Sequence, residues 1–547
     1  MKTLFHLIRI CIFCGIFVNG GFSQEPKPKI IVGLVVDQMR WDYLYKYEYN
    51  YGEGGFKRLI REGFLCENTL IDHIPTYTSV GHSTVYTGSV PSIHGITSNN
   101  WIDQKSGKLT YCTSDSTVSP TGVETDMGMQ SPKNLLVSTI TDELKLATNF
   151  RSKVIGVALK DRSAILPAGH FGDGAYWYDS KYGRWITSSF YMNELPEWLE
   201  RFNEENKATT YIKDWHLFKS PDKYQLSIED DNEYEGRWKK EERPVFPHMI
   251  TDFIEDEGFI ILNSTPYGNT LTIDLALEAI ENENLGRNLR GVPDFLAVSL
   301  SSPDYIGHKY SITSVELEDV YVRLDRELER LFNYLDDNFG ENEYLFFITA
   351  DHGASYNAKY YSDMGGVSGY FDEKVILSKL NRMVESEFGI QNSILSLINY
   401  QVNFNYESIK KSPYMTEDLK TFLIKQLNDI EGVAYVVDLI EGDKQFIPFE
   451  IQNRIANGYN RKSSGEIQII LEPQWYTGKK NSTGTTHGSW TSYDSHIPLI
   501  FMGWGIQRGK TYKETKMTDI APTLSSLLQI PFPNGNIGKP IVEVLEN

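Results

Sequence analysis

Cysteine is scarce in this chain, with four residues in 547. Two of them, Cys11 and Cys14, fall in an N-terminal apolar stretch, which leaves Cys66 and Cys112. Two thiols cannot build a four-cysteine zinc site, so any bound metal must rest on histidine and carboxylate. In an oxidising compartment the pair is able to form one disulfide, a point the sequence leaves open. Positive charge is also short: 53 Lys and Arg stand against 73 Asp and Glu, a net charge of −20. A field of that sign excludes non-specific nucleic-acid binding, and an anionic substrate would need a local cationic site. Metal ions could supply one. Long hydrophobic runs are missing after the first two dozen residues. There, Lys2 and Arg9 precede the apolar run Ile10 to Val18, and small or polar residues follow from Gly20 to Gln24. Residues 1–24 therefore read as a signal peptide, too short to span a bilayer. Phe13 before Cys14 speaks against a lipoprotein. The expectation is an exported chain, periplasmic or secreted, with no membrane partner. Losing the leader removes two positive charges and no acid, taking the net charge to about −22. Internal repeats and low-complexity tracts are absent as well.

What is present is a series of short apolar runs. Ile30 to Val36, Val154 to Leu159, Phe295 to Leu300, Tyr344 to Thr349 and Pro498 to Met502 predict buried parallel strands. Between the third and fourth, Leu317, Val320, Leu324, Leu328, Leu331 and Leu335 recur at steps of three and four, the pattern of a helix packed on a sheet. The fold class that follows is α/β, an open and mostly parallel sheet with helices on both faces and a site at the carboxyl ends of its strands. Two segments fit this core badly, at about 165–290 and 355–485. Both are expected to be insertions over the strand ends of a single domain running from 25 to 547.

The acids and histidines fall at those strand ends. Asp37 directly follows the first run. Asp304 and His308 follow the third, Asp351 and His352 the fourth, and His487 precedes the last. Oxygen and imidazole donors of this kind suit zinc. Each alone has an ordinary reading: an Asp after a strand caps helices, and an Asp-x-x-x-His pair sits on many helix surfaces. The remaining histidines, His82 and His248 among them, are taken as packing or surface residues. Thr78, in Pro75-Thr76-Tyr77-Thr78-Ser79, stands where a helix should begin, and a hydroxyl there is a candidate nucleophile. An N-capping threonine meets the same description. Asn99 offers an amide donor or a turn residue. Lys160 and Arg162, two apart after the second run, would point the same way if extended and could clamp an anion, or form a solvated charge pair.

Taken together, these motifs resemble the alkaline phosphatase superfamily, and within it the bacterial PafA-type branch with a threonine nucleophile. The similarity runs from Val36-Asp37-Gln38-Met39 through Pro75 to Thr78, the segment from Tyr86 to Gly95, Lys160-Asp161-Arg162, Asp304 with His308 and Asp351-His352-Gly353. It ends on Thr486-His487-Gly488 and Thr518 to Leu524. The resemblance implies two zinc ions per chain. One would be held by Asp304, His308 and His487, the other by Asp37, Asp351, His352 and Thr78. Asn99, Lys160 and Arg162 would contact the phosphoryl oxygens, and Thr78 would become phosphorylated as phosphate monoesters are hydrolysed. A small-molecule monoester is thus the expected partner and a monomer the expected state. The alternative is a phosphodiesterase or nucleotide pyrophosphatase of the same superfamily. A sulfatase is disfavoured, because Thr78 is not a residue that matures to formylglycine. A non-catalytic binding protein would have lost a ligand or the nucleophile, and none is lost here.

Overall fold

The computed structural model describes residues 27–288, 291–440 and 446–546. The expected leader over residues 1–24 lies outside the described residues. The first apolar run, Ile30 to Val36, is aliphatic and largely β-branched, and forms strand β1, buried at every position. Strands β2 (Phe64–Leu70), β3 (Val154–Ala158), β4 (Gly174–Asp179), β5 (Arg184–Ser188), β6 (Asp294–Leu300) and β7 (Tyr344–Thr349) follow. Strands β8 (Ile394–Ile398), β9 (Gln401–Phe404), β10 (Val433–Asp438) and β11 (Ile467–Leu471) form a separate four-stranded sheet. The chain then returns with β12 (Leu499–Gly503) and β13 (Gly509–Lys516). Among the described residues the central sheet has eleven strands, ordered β2–β12–β7–β1–β6–β3–β4–β5, with β13 on β2 and a two-residue strand at each end.

The middle of this sheet, β7–β1–β6–β3–β4, is parallel throughout. Val35 pairs with Thr349 on one side and Ser299 on the other, and Ser299 pairs with Ala158, so four carboxyl ends finish at one rim. One strand differs from expectation: β12 runs antiparallel to β7, with Leu499 opposite Thr349. An apolar run reports burial but not direction. Here the preceding segment lies at the carboxyl rim, so β12 starts there and must run away from it.

Helices cover both faces. Consecutive strand residues point to opposite sides, so Phe346 and Phe347 mark the two faces of β7. Tyr86 of helix α1 (Thr78–Thr87) lies 6.2 Å from the Phe347 ring. Helix α2 (Asp161–Ala168) follows β3, and helix α3 (Ser302–Tyr310) follows β6. Phe332 of helix α4 (Val315–Phe339) meets Phe346 edge-on at 5.0 Å. Helix α4 is the one expected from the leucine spacing. It is capped by Ser314, whose hydroxyl accepts from the Leu317 N–H at 3.1 Å.

The two expected insertions behave differently. Residues 165–290 do not lie wholly outside the sheet: they begin by extending it through β4 and β5, with Trp177 and Trp185 buried. Their aromatic and charged composition hid two strands. Residues 355–485 carry β8 to β11 and the helices α5 (Glu373–Phe388) and α6 (Thr416–Asn428). This part has a core of its own, built on Leu380, Val384, Leu419, Leu423, Ile467 and Ile469. Cys66 on β2 and Cys112 are both buried and unpaired.

Helix α1 approaches the end of β7 closely. A Cβ built on Gly81 would stand 2.3 Å from the Asp351 carbonyl oxygen. Gly to Ala inside a helix ordinarily stabilises it. Here Gly81→Ala should instead destabilise the fold by about 1–3 kcal/mol, the scale of overpacking. Urea unfolding measures this, and an unchanged or raised midpoint would contradict the close approach.

Candidate active site

The central strand ends at the rim deliver the chemical groups. β1 leads directly to Asp37, β6 leads into α3 with Asp304 and His308 one turn apart, and β7 leads to Asp351 and His352. The segment before β12 supplies His487. Among the described residues, two sets of three side chains each bring ligand atoms within 4.8 Å of one another: Asp37, Asp351 and His352 form one, and Asp304, His352 and His487 the other. His352 thus belongs to both, its ring stacked on that of His487 with centroids 3.5 Å apart. His308 stands beside the second group, with Nε2 3.1 Å from Asp304 Oδ1.

The tautomers follow from the backbone. Nδ1 lies 2.8 Å from the Thr485 carbonyl in His308, 3.0 Å from that of Gly353 in His352 and 2.6 Å from that of Thr76 in His487. A carbonyl only accepts, so each Nδ1 carries the proton; Nε2 of His352 and of His487 then presents a lone pair to the centre, while Nε2 of His308 faces the Asp304 carboxylate. Asp37 Oδ1, Asp351 Oδ2 and His352 Nε2 are buried without a hydrogen-bond partner. The imidazole nitrogen is 3.6 Å from each of those two oxygens. Three polar atoms that converge without a hydrogen-bond partner fit a cation, and their chemistry fits zinc.

Electrostatics describes the same centre. Burial, and then Asp351, push the Asp37 carboxyl well above its usual range. Burial would do likewise at Asp304, but His308 and Lys160 overcome it and hold that group well below. Asp351 is likewise held low against burial by His352 and His82. Burial and His352 push the His487 imidazole well down, which keeps it neutral and able to ligate. Lys160 is the cation on hand: its Nζ lies 2.6 Å from Asp37 Oδ2 and 2.5 Å from Asp304 Oδ2.

Thr78 is buried as the first residue of α1, and Tyr77 before it is extended. The next N–H, that of Ser79, donates to Asn99 Oδ1 at 3.0 Å. Because an N–H only donates, the Asn99 amide is oriented with its NH₂ turned away and able to donate. The hairpin tip of the separate sheet braces this segment. Asn399 and Tyr400 form a two-residue turn between β8 and β9, both with positive φ. Asn399 accepts from the Ser98 hydroxyl at 2.8 Å and donates to the Asn100 carbonyl at 2.7 Å, one residue either side of Asn99.

Lys160 and Arg162 do not project from an extended strand as expected. β3 ends at Ala158, Lys160 sits at the N-cap of α2 and Arg162 in its first turn. Asp161, the first residue of that helix, accepts from the Arg162 N–H. Arg162 Nη1 donates to the Tyr111 hydroxyl at 3.2 Å, which donates to Asp161 Oδ1 at 2.5 Å, and Arg162 Nε is buried without a partner.

Two residues at the site escaped the sequence reading. His82 was set aside as packing, yet its Nδ1 donates to the Thr78 carbonyl at 2.8 Å and its Nε2 accepts from Ser299 at 2.9 Å. Its place four residues after Thr78, on one helix face, was the available signal. Gln38, next to Asp37, touches both Asp351 and Asp304.

A family described as type I phosphodiesterase / nucleotide pyrophosphatase matches residues 31–494. A protein of Myroides odoratus named calcium-transporting ATPase is 55% identical over 98% of this chain and 98% of its own length. Alkaline phosphatase PafA of Elizabethkingia meningoseptica is 44% identical, again over 98% of each. The crystal structure of wild-type alkaline phosphatase PafA superposes with a TM-score of 0.92 at 45% identity, covering 95% of this chain and 99% of that one.

If Arg162, bonded to the Tyr111 hydroxyl, meets an anion at the rim, Tyr111→Phe should weaken inorganic phosphate binding by roughly tenfold, the scale of one hydrogen bond to a charged group. Calorimetric titration measures it. Unchanged affinity would remove Arg162 from the anion site.

Proposed function

This chain belongs to the type I phosphodiesterase / nucleotide pyrophosphatase family, and on that basis we propose that it is a two-zinc alkaline phosphatase that hydrolyses phosphate monoesters through a phosphorylated Thr78. The observation that carries this reading is the convergence of unpartnered Asp37 Oδ1, Asp351 Oδ2 and His352 Nε2 against the helix whose N-terminus bears Thr78. The strong similarity to enzymes named alkaline phosphatase supports it. Asp304, His308 and His487 would hold one zinc, and Asp37, Asp351, His352 and Thr78 the other. Bound there, zinc supplies Lewis-acid stabilisation of negative charge on oxygen.

The chain's own groups account for the rest. The Thr78 hydroxyl gives up its proton as its oxygen attacks phosphorus, forming an O–P bond while the ester P–O bond breaks and the leaving oxygen takes up a proton. Water then attacks the phospho-threonine, releasing inorganic phosphate and restoring the hydroxyl. The N-terminus of α1, the Asn99 NH₂ and Arg162 meet the non-bridging oxygens, charge stabilisation rather than covalent help being what this transfer needs. Lys160 answers the same need, already placed between Asp37 and Asp304.

The second reading, phosphodiester hydrolysis, is favoured by the family's description. Lys160 and Arg162 weigh against it, since a diester carries one charge fewer and an organic group on one of the oxygens they would meet. The name of the Myroides relative adds ATP as a substrate to test, because its terminal phosphoryl group yields to the same displacement. Among the described residues no helix is long and apolar enough to cross a membrane. Export through the leader and a monomeric state complete the proposal.

Turnover of a nitrophenyl monoester and the matching diester by zinc-loaded protein tests the reading. The monoester should be hydrolysed faster. Arg162→Ala should slow it by roughly 10²-fold, the scale of one preorganised contact to developing charge, and slow the diester much less. Equal proportional losses on both would assign the arginine to general structure. Acid quenching during turnover should trap phosphate on the peptide bearing Thr78, and none in Thr78→Ala. Label on Thr76 or Ser79 would move the nucleophile.

A further inference from the structure

Gln38 occupies a position that backbone geometry reserves for another kind of residue. The Met39 N–H donates to the Val36 carbonyl at 3.2 Å, closing a turn in which Gln38 is the third residue, with φ of +66°. A positive φ at that place is ordinarily met by glycine or asparagine, and a longer side chain persists there only when its surroundings hold it. Gln38 is 3% exposed, and two contacts hold it. Its backbone N–H donates to Asp351 Oδ1 at 3.1 Å, and its side-chain Nε2 donates to Asp304 Oδ1 at 2.6 Å. A carboxylate only accepts, so the amide orientation is fixed, with Oε1 facing α3. Space for that oxygen exists because residue 307 is glycine: a Cβ there would stand 2.0 Å from Gln38 Oε1.

These contacts cross between the two ligand groups. Asp351 belongs to the group with Asp37, and Asp304 to the group with His487. At Asp351 the contact takes up Oδ1 and leaves Oδ2 facing His352. At Asp304 the Gln38 amide bonds the same Oδ1 that faces His308 and His487, while Oδ2 meets Lys160. We infer that Gln38 is a positioning residue that fixes the orientation and separation of the two half-sites, with Gly307 conserving the room its amide requires in this fold. The inference rests on the metal-centre reading above. It explains why a strained glutamine stands where glycine would be comfortable.

The comparison of Gln38→Gly with Gln38→Met separates positioning from mere turn formation. Glycine relieves the backbone and deletes the amide, while methionine keeps the bulk and loses the donor. Zinc per chain and the chelator concentration that removes half of it are measured for wild type and both variants, with thermal unfolding of each zinc-free protein alongside. Wild type should hold two zinc ions. Both variants should lose them at 10- to 100-fold lower chelator concentration, the scale for a group that orients metal ligands. Zinc-free Gln38→Gly should unfold no lower than zinc-free wild type. Gly307→Ala, which presses on the same amide from α3, should shift zinc release in the same direction and keeps the test open if methionine prevents folding. Wild-type chelator resistance in Gln38→Gly, or in Gly307→Ala, overturns the inference alone. A wild-type chain that takes up no zinc overturns the metal reading and the inference with it.

Discussion

Three carboxylates and three imidazoles are gathered at one rim of a parallel sheet, and the rest of the site is arranged around the cost of that gathering. Taking a charge out of water costs on the order of several kcal/mol even after relaxation. Asp37, Asp304 and Asp351 are all buried, and the protein places a single ammonium group, Lys160, between two of them. The orphaned oxygens of Asp37 and Asp351 and the lone pair of His352 mark the charge that Lys160 does not answer. Cations bound at the centre would answer it, with the Lewis acidity that phosphoryl transfer needs.

Much of this was legible from the sequence because strand ends are easy to find. Five apolar runs became five strands of one sheet; Asp37, Asp304, His308, Asp351 and His352 beyond three of them, and His487 ahead of the last, lie at the rim. The fold's parallel register does that work: once Val35 pairs with both Thr349 and Ser299, the residues that follow have little choice of place. Direction was not legible, and β12 runs antiparallel because its approach comes from the rim. β4 and β5 were missed because tryptophan and tyrosine, with charges between them, do not read as an apolar run. The first turn of α2 was read as extended, although Asp161 is a good helix starter.

Support residues were the least legible. Gln38 has no chemistry of its own, and its meaning lies in a φ angle and in the glycine opposite. His82 has a signal in its spacing from Thr78, but one that many structural histidines share. Asn399 lies 300 residues from the segment it grips, on a sheet with a separate core. Such contacts exist only in three dimensions, which is why the acids and histidines at the rim could be named from sequence and the parts that orient them could not.

If bound metal is what makes this concentration of buried charge tolerable, its removal must weaken the fold. Thermal unfolding of the purified protein, with zinc counted before and after chelation, tests that most directly. The prediction is two zinc ions per chain and a melting temperature that falls by several degrees when they are removed, both restored by adding zinc back. A chelated chain, counted free of metal, that unfolds at the same temperature and turns over a phosphate monoester at the same rate would contradict it.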